Sequence, residues 1–249
     1  MITKAKIKHI IDLQDSAYRK EKQEYVVEGE KNLKELVNSN VKIIKEIFYT
    51  EKFSKADFIE DLLAIMKHEK FSLDLISDSD MKKISSLDTP PGILSVVKKT
   101  EEKIIPNESI LVLDQIKDPG NMGTIIRTAD WFGIKNIVLG RGCVDAYNPK
   151  VVQSTMGSIF HVKILTDVDL KSFINDYKNK LPVVVTVLED GFEPKKINGP
   201  FILVMGSESH GVSKDIISAA KFRFTIKGLG SAESLNVSVA TGIILNSIN

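Results

Sequence analysis

Short apolar runs alternate with amphipathic stretches along most of this 249-residue chain. In the N-terminal part, four runs have the length and the β-branched or aromatic content of strands, at 25–28, 46–49, 71–76 and 93–97. Between them, residues 58–66 repeat their apolar side chains at helical spacing. The pattern predicts a small α/β domain.

The C-terminal part contains six further strand-like runs, several of them almost continuously apolar. They lie at 110–113, 136–139, 162–165, 183–187, 201–205 and 222–226. Strands that are apolar on both faces are typical of a parallel sheet covered by helices on each side. Helical patterns separate many of these runs. The sequence therefore predicts a parallel α/β sheet with its site at the carboxyl ends of the strands.

A charge-rich stretch at 98–103, followed by Pro106 and Asn107, has neither the helical nor the strand periodicity of apolar residues and is interpreted as a linker. We therefore predict two domains, 1–103 and 104–249. The length and the 43% hydrophobic content are sufficient for two modest cores.

Composition argues against several classes of protein. Cys143 is the only cysteine, which excludes an intramolecular disulfide and a thiolate metal cage, and the four histidines form no zinc pattern. No apolar run is long enough to cross a bilayer, and the basic N-terminus lacks the apolar stretch of a signal peptide. We expect a cytoplasmic protein with no metal site and no membrane partner.

The net charge of +1 is far below the strongly positive net charge of many nucleic-acid-binding proteins. A local excess of basic residues occurs in the first helix-like stretch: Lys4, Lys6, Lys8, Arg19, Lys20 and Lys22. Acidic neighbours offset part of it. A solvated surface and a phosphate-contacting surface are equally open interpretations.

Three segments contain the residues that could take part in binding or catalysis. The first, 118–129, reads DPGNMGTIIRTA, the second, 205–211, reads MGSESHG, and the third, 226–240, reads IKGLGSAESLNVSVA. In the third, small and polar residues stand where a core element would repeat its apolar residues. This composition indicates selection for something other than packing.

Each segment has an ordinary structural interpretation when it is taken alone. After a turn at 118–120, Asn121 can cap a helix, and Arg127, off its apolar face, can pair with Asp114 or Asp130.

The second segment can be a tight turn with Ser213 capping the next helix, although Gly206 also permits close approach to a ligand. Residues 151–158 can be a helix with a glycine at its end. Gly228 and Gly230 make a poor dinucleotide-binding loop, because the third glycine is missing and no further strand completes a βαβ unit.

Together, however, the three segments resemble motifs 1, 2 and 3 of the SpoU/TrmH-type RNA 2'-O-ribose methyltransferases. The resemblance extends from about residue 110 to the C-terminus and implies a deep trefoil knot in the parallel-sheet domain, which also forms a homodimer. Residues 151–158 resemble a less specific family segment near the substrate cleft. At 26–29 and 89–93, the smaller N-terminal domain resembles the family's RNA-binding domain, which has a ribosomal-protein fold.

The resemblance also implies roles for individual residues. S-adenosylmethionine is the expected methyl donor, in contact with Gly206, Ile226 and Leu235. The expected catalytic residues are Asn121, Arg127, Glu208, Ser234 and Asn236. Because a guanidinium stays protonated, we interpret Arg127 as a residue that binds a phosphate beside the target ribose rather than as a general base.

The third segment departs from the family pattern at one place. Lys227 and Gly228 stand where the family usually has Pro-Met, which predicts a more flexible and more basic loop. We predict a 2'-O-methyltransferase of ribosomal RNA that has no DNA partner. Transfer RNA as substrate, and a non-catalytic RNA- or ribosome-binding protein on the same fold, are the alternatives.

Overall fold

The structure is a computed structural model that describes residues 2–54, 57–207 and 210–249. It divides into two compact units, Met1–Glu101 with Tyr147–Phe160, and Glu102–Ala146 with His161–Asn249. The first boundary falls within the predicted linker. Residues 147–160, which a division at 103/104 assigns to the second domain, group with the first unit, and the two-domain division itself stays a prediction.

Ten helices lie within the described residues. They are α1 (Lys4–Asp12), α2 (Ser16–Lys22), α3 (Glu30–Asn40), α4 (Asp57–Met66), α5 (Asp78–Ile84), α6 (Pro119–Trp131), α7 (Pro149–Thr155), α8 (Leu170–Tyr177), α9 (Lys214–Ala219) and α10 (Val237–Ile248). Side chains of Thr3 and Asp15 accept backbone N–H groups at the starts of α1 and α2. These caps divide the basic N-terminal stretch into two short helices.

The first unit contains a four-stranded mixed sheet. Its strands are β1 (Glu24–Glu28), β2 (Ile44–Tyr49), β3 (Ser72–Leu75) and β4 (Ile93–Lys98), in the order β1-β4-β2-β3. Strand β4 is antiparallel to both neighbours, while β2 and β3 are parallel. Buried side chains from α1, α5 and the sheet form its core, among them Ile10, Phe48 and Met81. The predicted small α/β arrangement is therefore present.

The second unit contains a six-stranded sheet. Its strands are β5 (Ile110–Asp114), β6 (Asn136–Gly140), β7 (Lys163–Val168), β8 (Val183–Thr186), β9 (Ile202–Gly206) and β10 (Phe222–Phe224). Their order is β10-β8-β9-β5-β6-β7, and every pair is parallel. All residues of β5, β6 and β9 are buried, as their continuous apolar runs require. The predicted parallel sheet is confirmed, although β10 ends two residues earlier than its apolar run.

Three of the basic residues near the N-terminus lie in ion pairs. Lys6 pairs with Glu46, Lys8 with Asp12 and Lys22 with Glu21. Arg19 is buried, and its guanidinium donates to the carbonyls of Leu13 and Gln14. These contacts favour the solvated-surface interpretation for the three lysines, whereas Arg19 belongs to neither interpretation because it is buried. No helix in the described ranges has the length and apolar character needed to cross a membrane.

Candidate active site

The carboxyl ends of the parallel strands bring the three sequence segments to one edge of the second unit's sheet. In the pairing of β5 with β9, Asp114 lies opposite Gly206. The chain passes from β5 through β6 to β7 on one side and then crosses to β8 on the other side. The switch in strand order therefore lies between β5 and β9, where open α/β sheets bind their ligands.

The first segment forms the N-cap and most of α6. Its N-cap is Asp118, whose Oδ1 accepts the Asn121 N–H at 2.7 Å, and Pro119 occupies the first helical turn. The prediction that Asn121 caps this helix is wrong. Aspartate caps as well as asparagine, and proline fits the first helical position, so the helix begins earlier. Asn121 thus lies inside the first turn.

Asn236 joins the third segment to the first. It is the N-cap of α10, and its Oδ1 accepts the Ser238 N–H at 2.9 Å and the Ser238 hydroxyl at 2.6 Å. Its Nδ2 donates to Asn121 Oδ1 at 2.9 Å, across 115 residues of sequence. Two of the predicted catalytic residues are therefore joined by a direct side-chain hydrogen bond.

Arg127 is exposed on α6, opposite the buried face of this helix. Neither predicted ion-pair partner contacts it, because Asp130 binds His161 at 3.0 Å and Asp114 accepts the Ser213 N–H at 3.1 Å. Among the described residues, Arg127 has no ion pair. Its guanidinium is thus in a position to bind an anionic ligand.

Gly206 ends β9 in a space that no larger residue can enter. A Cβ atom added there would lie 2.0 Å from the carbonyl carbon of Gly211 and 2.3 Å from the nitrogen of Val212. The turn after β9 folds back over the strand end, and the Gly211 N–H donates to the Ser207 carbonyl at 2.9 Å. The backbone of this turn therefore requires the glycine. Glu208, the predicted carboxylate of the segment, lies outside the described residues.

The third segment follows β10 as a loop that extends to Asn236. Residues 227–236 are all exposed, including Ser234, whereas Ile226 is half-buried. Leu229 is 95% and Leu235 is 46% exposed. No hydrogen bond among the described residues links Ser234 to Asn121, so this residue is near the junction in sequence but is not joined to it.

Comparison with known proteins identifies the family. The SpoU rRNA Methylase family matches residues 108–246, and an MRM3-like substrate binding domain matches residues 4–95. The chain belongs to the SpoU rRNA methylase family. As a SpoU-family methyltransferase, it uses S-adenosylmethionine as the methyl donor.

Relatives and solved structures align with almost the whole methyltransferase. The 23S rRNA (guanosine(2553)-2'-O)-methyltransferase RlmP of Bacillus subtilis is 31% identical over 89% of this chain and 86% of its own length. The AdoMet-bound rRNA methyltransferase of Sinorhizobium meliloti is 27% identical, with a TM-score of 0.86 over 98% of this chain and 94% of that one. A TrmH-family protein of Porphyromonas gingivalis has 31% identity and a TM-score of 0.82 over 99% and 97%.

The site of this SpoU methyltransferase fits its methyl donor. Gly206 leaves β9 without a side chain at the strand end, and the loop 227–236 is exposed, so its backbone groups are accessible to a ligand. Leu229 and Leu235 are apolar side chains exposed to solvent, which the adenosine part of a ligand can cover. The contacts predicted for Gly206, Ile226 and Leu235 stay predictions.

Two residues of the SpoU site were missed in the sequence. Asp114 is a buried carboxylate that accepts the Ser213 N–H and so anchors the start of α9. The sequence feature that could have identified it is a carboxylate at the end of an apolar strand. Gly191 lies where a Cβ would be 2.3 Å from the Thr225 hydroxyl, so its backbone packs against Phe224 and Thr225, just before the third segment. Without a neighbouring motif, that glycine carried no signal in the sequence.

Cys143 of the methyltransferase is a partly buried free cysteine. Burial raises the pKa of its thiol above the usual range, and its Sγ donates to the Leu113 carbonyl at 3.3 Å. A buried thiol of raised pKa is a poor nucleophile. In the part of the chain that the structure describes, no cluster of His, Cys, Asp and Glu could hold a metal ion.

Proposed function

We propose that this SpoU-family enzyme methylates a ribose 2'-hydroxyl in ribosomal RNA. The hydrogen bond between Asn121 and Asn236 carries the proposal, because it assembles two predicted catalytic residues at the ligand-binding edge of the sheet. Relatives named as rRNA methyltransferases and the match to a substrate binding domain support the substrate class. The proposal places the enzyme in the cytoplasm, together with ribosomes.

The proposed chemistry depends mainly on positioning. S-adenosylmethionine supplies an electrophilic methyl group, and we assign its contacts to Gly206, Ile226 and Leu235. A ribose hydroxyl is a weak nucleophile that must be held in line with that group. Arg127 binds the phosphate beside the target ribose through two parallel N–H donors. The hydroxyl proton passes to water, to Glu208 or to the phosphate.

Arg127→Ala is expected to lower methyl transfer about 100-fold, because the loss of a positioning clamp misplaces the nucleophile. The measurement is transfer of tritium from labelled S-adenosylmethionine into separate ribosomal and transfer RNA pools from cells that lack the protein. Label that resists alkaline cleavage at the modified position identifies ribose methylation. Arg141→Ala is the matched control, since Arg141 is also exposed but pairs with Asp169.

Each alternative function gives a different result in this assay. Label confined to transfer RNA would show that transfer RNA, and not ribosomal RNA, is the substrate. Donor binding without transfer to naked RNA or to assembled ribosomal particles would support a non-catalytic RNA-binding protein. An Arg127→Lys enzyme with full turnover at saturating RNA would contradict the bidentate role of the guanidinium.

We further propose that the second unit is a trefoil knot. Strand β9 comes late in the chain, yet it lies in the middle of the sheet between β8 and β5. Helix α10 then packs against both α6 and β9, and the Ile197 N–H donates to the Ile248 carbonyl near the C-terminus. This late return of the chain to the first elements of the unit supports a threaded topology.

We also propose a homodimer through the second unit. Trp131 on α6 is 85% exposed, and on α10 the side chains of Val239 and Ile243 are exposed one helical turn apart. Gly242 lies between them, although a Cβ there would meet no atom closer than 3.8 Å, in Thr128. Glycine inside a helix costs about 1 kcal/mol relative to alanine. Close approach of a second copy explains both the glycine and the exposed apolar residues.

Ile243→Asp is therefore expected to convert the dimer into monomers, because it places a charge in a desolvated apolar contact. Sedimentation at micromolar protein concentration measures the change in mass. Leu63→Asp is the matched control, since Leu63 is similarly exposed on α4. A wild-type protein that sediments as a monomer would overturn the proposed dimer.

A further inference from the structure

Ser238 lies behind the junction of the first and third segments. It occupies the first turn of α10 and donates twice to one atom, Asn236 Oδ1, from its N–H at 2.9 Å and from its hydroxyl at 2.6 Å. The amino group of Asn236 then faces Asn121. A short chain of hydrogen bonds thus extends from Ser238 through Asn236 to Asn121.

The donors of Ser238 determine the direction of this chain. A backbone N–H can only donate, so the end of the Asn236 amide that faces it must be the oxygen. The other end, the amino group, must then face Asn121, where it requires an oxygen acceptor. Consequently the Asn121 amide has its oxygen towards Asn236 and its amino group on the other side.

The hydroxyl of Ser238 adds rigidity to this arrangement. With a single donor at Oδ1, the amide plane of Asn236 can rotate about its last side-chain bond, which has a broad rotational preference. A second donor from the hydroxyl restricts that rotation. We propose that Ser238 is a positioning residue that acts through Asn236 to orient Asn121 for methyl transfer. This inference rests on the proposed function for its catalytic consequence.

Ser238→Ala is expected to lower turnover at saturating RNA and donor about 5- to 10-fold, the effect of one hydrogen bond. The Michaelis constants for both substrates should stay within about twofold, because the Ser238 hydroxyl is engaged by Asn236 and acts through it. Ser238→Thr, which keeps the hydroxyl, should restore turnover. Ser247→Ala is the matched control, since this serine of α10 donates to the Ile243 carbonyl instead.

A double-mutant cycle tests whether the effect passes through Asn236. In an Asn236→Ala background, Ser238→Ala should cause no further loss, because the group on which it acts is absent. An equal loss in both backgrounds would overturn the positioning role. So would full turnover of Ser238→Ala in an assay where the wild-type enzyme methylates RNA.

Side-chain amide NMR signals measure the hydrogen-bond chain without catalysis. Assigned with Asn121 and Asn236 variants, the amide protons of Asn236 should exchange with water several-fold faster in Ser238→Ala than in the wild-type protein. Unchanged exchange would overturn the inference. Absence of methyl transfer by the wild-type enzyme, with faster exchange in the variant, would instead refute the proposed function and leave the structural role of Ser238 supported.

Discussion

Gly206→Ala is expected to abolish binding of S-adenosylmethionine and to lower the thermal midpoint of unfolding by about 5–10 °C. The added methyl group would overlap the peptide between Gly211 and Val212, which is backbone and cannot rotate away as a side chain could. Overpacking of this kind costs about 1–3 kcal/mol or more. The turn must therefore move away from β9, and the donor site at the strand end moves with it.

Calorimetric titration of the donor and thermal unfolding of the same samples measure the two effects. Gly228→Ala is the control, because a Cβ there would meet no atom within 4 Å. This substitution should leave the unfolding midpoint unchanged, although Gly228 lies in the loop 227–236 to which donor contacts are assigned. A Gly206→Ala protein with wild-type donor affinity would show that the turn can relax without disturbing the site, and would remove Gly206 from the set of donor contacts.

The strands of the second unit could be predicted because hydrophobic burial dictates their pattern. Strands β5, β6 and β9 are covered on both faces, so each appears in the sequence as an uninterrupted apolar run. The end of β10 was predicted two residues too late, since this strand lies at the edge of the sheet and is only partly buried. Burial thus determines which boundaries the sequence specifies well.

The start of α6 shows where local preference was ambiguous. Both Asp118 and Asn121 are good caps, and the outcome depended on Pro119, which fits the first turn of a helix. Sequence patterns correctly placed Arg127 off the apolar face because that depends on helical periodicity alone. They could not identify its lack of an ion pair, since both candidate partners are engaged by residues distant in sequence.

Two features depended on contacts that no local pattern encodes. The grouping of residues 147–160 with the first unit includes a hydrogen bond from Asn32 to Gln153, across 121 residues. Gly191 is required by the approach of Thr225, which the bridge between Phe192 and Phe224 brings near. The family resemblance indicated the candidate catalytic residues, whereas the geometry supplied the Asn121–Asn236 bond and the position of Ser238 behind it.

Asn236→Asp is expected to preserve the fold and to lower turnover about 100-fold or more. Aspartate caps a helix as well as asparagine does, so α10 should keep its first turn and the unfolding midpoint should not change. The carboxylate offers no donor to Asn121, however. The Asn121 amide must rotate to donate to this carboxylate. The Asn121 oxygen then takes the place of the Asn121 amino group on the side away from residue 236.

Two further variants separate capping from polarity and from charge. Asn236→Ser keeps a neutral cap but is too short to reach Asn121, so it should also lose turnover with an unchanged midpoint. Asn236→Ala should lose turnover and, in addition, about 1 kcal/mol of stability, because the cap is gone. Repulsion of RNA by the new carboxylate would raise the Michaelis constant in a salt-dependent way, whereas a loss of orientation lowers turnover at every salt concentration. Wild-type turnover in both Asn236→Asp and Asn236→Ser would reduce Asn236 to a helix cap and assign the catalytic work to Arg127 and the donor site.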